Sequence, residues 1–302
     1  MYKTPYLASV PPYGVYPPLI TFFHEYESID YESTLKLVHP LVSAGVTGPV
    51  LQGSNAEAPH LLHEERQKLV SRIRQHVTDI GHPQLPLIVG YGAPQRAETL
   101  VHISEANAAE ADYSMVLTPE YWRSAISPSV LETFFGTIAD ASPFPILIYN
   151  YPDVVGGIDI TSDTVIRLTK AHSNTVDIKL TCGDGSFATF GGKADFLHPG
   201  LVAGSHGTIA GLAYSVPALH REVIRQYRDG NLKEAQELQV KLSHADGTLM
   251  KMGPTGVKVS VHYFGYGSGQ GRSSLGTSTI SSFPEDVRQN VEEVMSLGKA
   301  YL

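Results

Sequence analysis

Short apolar runs recur along the chain, and segments with helical periodicity separate most of them. Near-continuous apolar runs rich in β-branched residues predict strands that are covered on both faces. One intervening segment, LLHEERQKLVSRIRQHV, places Leu62, Leu69, Ile73 and Val77 on one helical stripe. The eight runs are PPLITFF from Pro17, GPVLQG from Gly48, PLIVGYG from Pro86, YSMVLTP from Tyr113, PILIYNYP from Pro145, TVDIKLTC from Thr175, FATFGG from Phe187 and GTIAGLA from Gly207.

The spacing of these runs predicts the fold class. The first six start 31, 38, 27, 32 and 30 residues apart, the size of one strand plus one crossover helix. Eight such units predict a (β/α)8 TIM barrel, a fold of about 250 residues. A doubly wound open sheet is the alternative, although no glycine-rich phosphate turn follows the first run. We predict the barrel over residues 1–215 and a packed C-terminal helical layer over residues 216–302, with helices at 217–228, 231–250, 254–264 and 285–298.

The connection between the sixth and seventh runs does not fit this scheme. Only Gly183, Asp184, Gly185 and Ser186 separate the two runs. A parallel crossover takes a dozen or more residues, whereas four residues with two glycines can form a hairpin that would disrupt the barrel. The alternative, which we favour, is that a segment between Cys182 and Phe187 is missing from this chain.

Composition narrows the possible partners and compartments. The 302 residues are 42% hydrophobic and carry a formal net charge of −8 without any basic run, so neither nucleic acid nor an anionic membrane surface is an expected partner. Cys182 is the only cysteine, which excludes an internal disulfide framework, and we interpret it as a buried, unreactive thiol. No signal-peptide core and no apolar run of about 18 residues is present. A cytosolic location is the expectation.

The sixth run contains a lysine where its neighbours indicate burial. Burying an unpaired ammonium costs several kcal/mol or more, so Lys179 needs a partner, access to water or a neutral form. The alternative is an exposed face of an edge strand. Tyr149 lies one 30-residue repeat earlier, while GSNAE and TPEYW follow the second and fourth runs. All four therefore converge on the carboxyl-terminal rim, where barrel enzymes place their catalytic groups.

These side chains suit one kind of chemistry. A lysine kept neutral by desolvation attacks ketones and forms Schiff bases. A phenol such as that of Tyr149 can transfer the protons that collapse of the carbinolamine requires. Ser54 and Asn55, with the backbone N–H groups that precede the next helix, can hold a substrate carboxylate.

The ordered motifs GSNAEAPHLLHEER, LTPEYW, YNYP…GG and DIKLTCGD resemble the dihydrodipicolinate synthase/N-acetylneuraminate lyase family of pyruvate-dependent class I aldolases, over about residues 15–275. The resemblance implies a homotetramer, built as a dimer of dimers, and no metal or cofactor beyond a covalent Schiff base with pyruvate or another 2-oxo acid. It also implies a role for each of seven residues. Lys179 forms the Schiff base, Tyr149 transfers protons, Tyr121 reaches across a dimer interface, Ser54 and Asn55 hold the carboxylate, and Gly192 and Ile209 line the pocket.

A departure from the family pattern bears on the substrate. Synthases of the family carry an arginine where this chain has Val154, and valine cannot hold a carboxylate in a bidentate manner. GSN and YNYP…GGID resemble 4-hydroxy-2-oxoglutarate aldolases and fungal 3-deoxy-hexulosonate aldolases. The predicted function is therefore reversible cleavage of a 2-keto-3-deoxy acid into pyruvate and an aldehyde. The alternatives are dihydrodipicolinate synthesis from aspartate semialdehyde, a neuraminate-type lyase or sugar-acid dehydratase, and an inactive barrel used for binding or assembly.

Two further patterns carry no functional prediction. His60 and His63 stand three residues apart without a zinc-peptidase motif, so we interpret them as surface or helix-start residues and predict no metal site. GYGSGQG, from Gly265 to Gly271, lacks the strand-to-helix context of a dinucleotide fingerprint.

Overall fold

The computed structural model describes residues 10–180, 189–250, 253–263, 265–272, 275 and 284–299. Eight parallel strands form one sheet in the order β1-β8-β7-β6-β5-β4-β3-β2. Backbone hydrogen bonds between Val50 and the segment from Pro17 to Leu19 bring the two ends of the sheet together. The sheet is therefore curled into the predicted (β/α)8 TIM barrel. The strands are β1 (Gly14–Val15), β2 (Val50–Leu51), β3 (Ile88–Tyr91), β4 (Tyr113–Leu117), β5 (Ile146–Asn150), β6 (Thr175–Leu180), β7 (Thr189–Gly191) and β8 (Gly207–Thr208).

The prediction for the first strand is wrong in position. The strand occupies Gly14–Val15 rather than the run from Pro17. Pro17 and Pro18 have no N–H to donate, so the ladder cannot continue through them. Strand β1 can pair with β8 because residue 207 is a glycine. Its φ is +140°, and a Cβ at this position would lie 1.9 Å from the carbonyl oxygen of Gly14.

Helices cover the outside of the sheet and follow the predicted alternation. In α2 the predicted stripe is buried at Leu69, Ile73 and Val77, but Leu62 precedes the helix and is exposed. Its N–H is instead held by the Glu65 carboxylate at 2.9 Å. The barrel helices are α1 (Tyr31–Ser43), α2 (His63–Asp79), α3 (Arg96–Ala108), α4 (Pro128–Ala141), α5 (Ser162–Ala171) and α6 (Leu197–Val202).

Strands β6 and β7 pair in parallel although few residues separate them in the chain. Ile178 pairs with Thr189 and Leu180 with Gly191 in parallel register. The hairpin alternative is therefore wrong, because a hairpin would make the two strands antiparallel. Residues 181–188, which include Cys182 and the junction up to Phe187, lie outside the described residues, so the predictions about the thiol and the missing segment stay predictions.

The C-terminal helices agree with the sequence pattern to within one residue at each end. They are α7 (Pro217–Arg228), α8 (Leu232–Met250), α9 (Gly253–Tyr263) and α10 (Glu285–Lys299). Helix α7 packs against α8, and α9 packs against the turn Ser54–Ala56 that follows β2. The last contact connects the helical layer to the rim of the barrel. None of the helices in the described ranges is long and apolar enough to cross a membrane.

Candidate active site

Lys179 points into the barrel interior. It lies near the end of β6, where it pairs with Tyr149 of β5 on one side and with Phe190 of β7 on the other. Only 5% of its surface is exposed. The exposed edge-strand alternative is therefore wrong. The apolar cluster around it comes from inward-facing side chains of neighbouring strands, including Leu147 and Met115.

The Lys179 amine has no carboxylate partner among the described residues, and its nitrogen lies 4.2 Å from the centroid of the Tyr149 ring. Burial lowers the pKa of Lys179 to about 7, because a low-dielectric surrounding penalises the ammonium more than the neutral amine. Burial also raises the pKa of the Tyr149 phenol, although its hydrogen bond with Ser54 acts in the opposite direction. At neutral pH the site thus holds an un-ionised phenol beside an amine that is neutral in a substantial fraction of molecules.

A small cavity of about 30 Å³ surrounds the amine. Six of the seven predicted site residues lie in its wall, which brings together the ends of β2, β5, β6, β7 and β8. The lining residues are Pro18, Ser54, Asn55, Tyr149, Tyr151, Lys179, Gly192, Lys193, Ile209 and Gly211.

The turn Ser54–Ala56 places two polar side chains at this cavity. The N–H groups of Ser54 and Asn55 head the turn, and the first N–H groups of such a turn have no partner within it. The Asn55 side chain donates from Nδ2 to the hydroxyl of Tyr214 at 3.4 Å. Tyr214 is buried, and burial raises its pKa, so the hydroxyl stays un-ionised. The arrangement offers several donors to a carboxylate.

A buried ion pair fixes the end of the same turn. Glu57 adopts a left-handed backbone conformation with φ of 56° and is fully enclosed. Its carboxylate accepts hydrogen bonds from Lys258 of α9 and from the backbone N–H of Arg272 (2.9 Å), and lies 2.9 Å from His60 Nδ1. Lys258 also donates to the carbonyl of Thr21 at 2.8 Å. These contacts link the helical layer to the residues that can hold a substrate.

The structure does not bring Tyr121 to the cavity within one chain. Its side chain is 74% exposed and packs edge to face on Trp122, with ring centroids 5.0 Å apart. The predicted role of Tyr121 at a neighbouring subunit's site therefore stays a prediction.

A second, larger cavity of about 490 Å³ opens beside Tyr149 and Ser54. Met115, Leu117 and Val154 are among its lining residues. Val154 belongs to the turn Pro152–Val154 and is 44% exposed. A substrate attached to Lys179 can therefore extend past Tyr149 into space that has no arginine at position 154.

Sequence reasoning missed three side chains of this region. Lys193 and Tyr151 line the small cavity, and Tyr214 orients Asn55. Each comes from a loop after a strand, and position after a strand was the only signal that could have indicated them. His60, three residues before His63 in the sequence, is held by Glu57 instead.

Comparison with known proteins agrees with this geometry. Residues 11–294 match the Dihydrodipicolinate synthetase family. The chain is 39% identical over 279 residues to a protein of Emericella nidulans named as a mitochondrial 4-hydroxy-2-oxoglutarate aldolase, covering 88% of this chain and 90% of the relative. It is 36% identical over 305 residues to an L-threo-3-deoxy-hexylosonate aldolase of Hypocrea jecorina, covering 93% and 96% of the two chains.

Solved structures give the same result. The crystal structure of a dihydrodipicolinate synthase family protein from Coccidioides immitis superimposes with a TM-score of 0.85 at 29% identity, covering 97% of this chain and 99% of the other. The 4-hydroxy-tetrahydrodipicolinate synthase of Methylacidiphilum fumariolicum superimposes with a TM-score of 0.86 at 25% identity, covering 96% and 99%. The family match spans nearly the whole chain and includes every strand and all six cavity-lining residues predicted from the motifs. The chain belongs to the Dihydrodipicolinate synthetase family.

Proposed function

We propose that this protein is a class I aldolase, a carbon–carbon lyase that reversibly cleaves a 2-keto-3-deoxy acid into pyruvate and an aldehyde. The observation that carries the proposal is the buried, partly neutral amine of Lys179 beside the phenol of Tyr149. The aldolase names of the two fungal relatives support the same reaction class.

In the cleavage direction the Lys179 amine adds to the C2 carbonyl of the substrate, and the carbinolamine loses water to give an iminium ion. Tyr149 supplies and removes the protons of this step. Loss of the C4 hydroxyl proton then breaks the C3–C4 bond, so that the aldehyde leaves and the electron pair enters the iminium as an enamine. Protonation at C3 and hydrolysis of the imine release pyruvate and restore the amine.

The carboxylate of the keto acid is assigned to the turn Ser54–Ala56. The side chains of Ser54 and Asn55 and the N–H groups at the head of the turn are suitable donors. We assign Gly192 and Ile209 to the cavity wall beside the reacting carbons.

The distal part of a long sugar-acid substrate is assigned to the larger cavity, and the distal carboxylate of a short substrate to Lys193 at the small cavity. Without a guanidinium at Val154, aspartate semialdehyde has no bidentate partner there, which disfavours the synthase reaction. Lys193 offers a different cation at the small cavity. Its positive charge acts to lower the pKa of Tyr151, which lines the same wall, although burial raises that pKa more strongly. A carboxylate on the aldehyde, as in glyoxylate from 4-hydroxy-2-oxoglutarate, would be attracted by this ammonium.

An aldol condensation assay tests the proposal. Pyruvate is incubated with glyoxylate, with glyceraldehyde or with aspartate semialdehyde, and the products are identified by mass spectrometry. We expect 2-keto-3-deoxy acids from at least one of the first two aldehydes, and Lys193→Met should raise KM about tenfold, equivalent to about 1.4 kcal/mol, for glyoxylate only. Turnover with aspartate semialdehyde alone would favour the synthase, and no turnover with any aldehyde would favour an inactive barrel.

Assembly and location complete the proposal. A homotetramer built from dimers would place the exposed Tyr121 at a subunit contact, and sedimentation velocity measures that state.

We keep the cytosol as the proposed location, although the Emericella relative is named as mitochondrial. Microscopy of the chain fused at its C-terminus to a fluorescent protein distinguishes the two compartments.

A further inference from the structure

Two histidines stack at the outer end of the larger cavity, away from Lys179. His63 is the first residue of α2, and His102 lies in the middle of α3. Their ring centroids are 4.6 Å apart with an interplanar angle of 22°. His63 and His102 both belong to the cavity wall, as does Glu98, one helical turn before His102.

The two imidazoles share their partners on both edges. Their Nε2 atoms face the Oε1 atom of Glu98, at 2.8 Å from His63 and 3.7 Å from His102. Their Nδ1 atoms face the carboxylate of Glu105, at 2.9 Å from His63 and 3.5 Å from His102. Glu98, which lines the cavity, thus faces the Nε2 edge of both rings, called here the inner edge. Glu105 faces the Nδ1 edge of both rings, the outer edge.

The described hydrogen bonds do not satisfy this group. His102 is only 6% exposed, yet its ring nitrogens have only long contacts: Nδ1 lies 3.5 Å from Glu105 and Nε2 lies 3.7 Å from Glu98. A neutral imidazole has one nitrogen with a lone pair, and at His102 either nitrogen faces a carboxylate, which has no hydrogen to donate to it. A cation on the inner edge would bind the lone pair of Nε2 and leave the Nδ1–H group to Glu105.

We propose that His63, Glu98 and His102 bind a divalent cation of the Zn²⁺ type. One donor atom from each lies within 4.8 Å of the other two. Zn²⁺ held by two imidazoles and one carboxylate at about 2.0–2.1 Å needs its donors about 3.3 Å apart. The inner-edge contacts of 2.8 and 3.7 Å already lie near this spacing. His63 is half exposed and first in its helix, so its ring can turn out of the stack and direct Nε2 at an ion held by Glu98 and His102.

Glu105 completes the arrangement. Histidine ligands usually donate their second ring N–H to a carboxylate, which fixes the tautomer and the orientation of the ring. Glu105 occupies that position for both imidazoles at once. Because His63, Glu98 and His102 line the cavity, a fourth coordination position would be open to it, as at zinc sites with three protein ligands. The cation would connect α2 to α3 without touching the wall around Lys179.

Metal titration of the full chain tests the proposal. The protein is freed of metal with EDTA, separated from the chelator, and titrated with ZnCl₂ against a chromophoric competitor. We expect one Zn²⁺ per chain. His63→Ala and Glu98→Gln should each weaken binding about 100-fold or more, and Glu105→Gln about 10–100-fold, the usual effect of removing an outer carboxylate. His82→Ala, at an exposed histidine beyond the end of α2, is the matched control and should bind as the unmodified chain does.

Thermal unfolding supplies a second measurement, because a ligand that binds only the folded state raises Tm. Zn²⁺ should raise Tm for the unmodified chain and for His82→Ala, but not for His63→Ala. Circular dichroism without metal verifies that His63→Ala and Glu98→Gln are folded, which is expected because both side chains are partly exposed. Equal Zn²⁺ affinity in His63→Ala, Glu98→Gln and the unmodified chain would overturn the proposal, as would less than one ion bound per chain.

Discussion

Lys179 and Tyr149 are register partners on neighbouring parallel strands, with the lysine nitrogen 4.2 Å from the centroid of the tyrosine ring. Inward-facing residues of adjacent strands come to the same height in a barrel, so the amine and the phenol are positioned by the sheet itself. The aldolase mechanism depends on this pair, and the first two predictions concern it directly.

Replacing Lys179 by methionine should abolish catalysis and increase stability. The pKa of the amine is about 7 in the fold, against an ordinary value of 10.5. Between pH 7 and pH 10.5 the unfolded chain binds a proton that the folded chain does not, so the unmodified protein becomes more stable as pH rises. At or below pH 7, Lys179→Met should therefore be more stable by up to about 5 kcal/mol. The difference should shrink towards pH 10.5.

Urea unfolding at pH 7 and pH 10 measures this effect. The exposed lysine Lys233, which lies 4.0 Å from Glu237, provides the control Lys233→Met. An equal change in stability for both variants at both pH values would show that Lys179 carries its ordinary charge.

Tyr149→Phe should separate proton transfer from packing. The variant keeps the ring beside Lys179 but loses the hydroxyl, so the fold and the cavity are retained. We expect turnover to fall about 10²–10⁴-fold, the range for loss of a general acid–base group. Steady-state kinetics measures the loss, and near-normal turnover would assign proton transfer to another group. Tyr151→Phe is the matched control, because Tyr151 lines the same cavity on the neighbouring loop.

Breaking the ion pair between Glu57 and Lys258 should destabilise the protein and the substrate turn together. Removing one partner leaves an uncompensated buried charge, so Lys258→Met should cost about 3–5 kcal/mol. The double variant with Glu57→Gln should cost less than the sum of the two single changes. Urea unfolding measures these differences, and additive effects would contradict the pairing. Lys233→Ala, in an exposed pair, should change stability by less than about 1 kcal/mol.

Mixing two inactive variants tests the proposed contribution of Tyr121 to a neighbouring subunit. Lys179→Met lacks the amine, and Tyr121→Phe lacks the hydroxyl that would enter the adjacent site. Unfolding and refolding them together should give mixed dimers in which one site has both groups, so part of the activity should return. Each variant refolded alone is the control. If a mixture that is shown to contain hybrid dimers regains no activity, Tyr121 does not act in the site of a neighbouring subunit.

The sequence predicted the architecture well because its strongest signals are local. Apolar runs indicated seven of the eight strands, and helical periodicity indicated the C-terminal helices. The first strand was displaced because the apolar residues after Pro18 are buried without belonging to a strand. The parallel pairing of β6 and β7 agrees with the barrel prediction, although the short separation of the two runs also allowed a hairpin.

Family motifs indicated the residues that surround the amine but not those that support them. Tyr214, Lys193 and Lys258 are distant in sequence from the residues that they contact or face. No local pattern distinguishes a lysine buried against Glu57 from a lysine in a solvated helix. The same holds for His63, whose neighbour in sequence is His60 but whose partner in space is His102.

Borohydride trapping tests the central claim most directly. The protein is incubated with pyruvate, reduced with sodium borohydride, digested and analysed by mass spectrometry, with Lys193→Met and a sample lacking pyruvate as controls. A reduced pyruvyl group should appear on Lys179 in both proteins only when pyruvate is present, and its rate of formation should increase from pH 6 to pH 8 as the amine loses its proton. An unmodified Lys179 under these conditions, or a label on another lysine, would contradict the account.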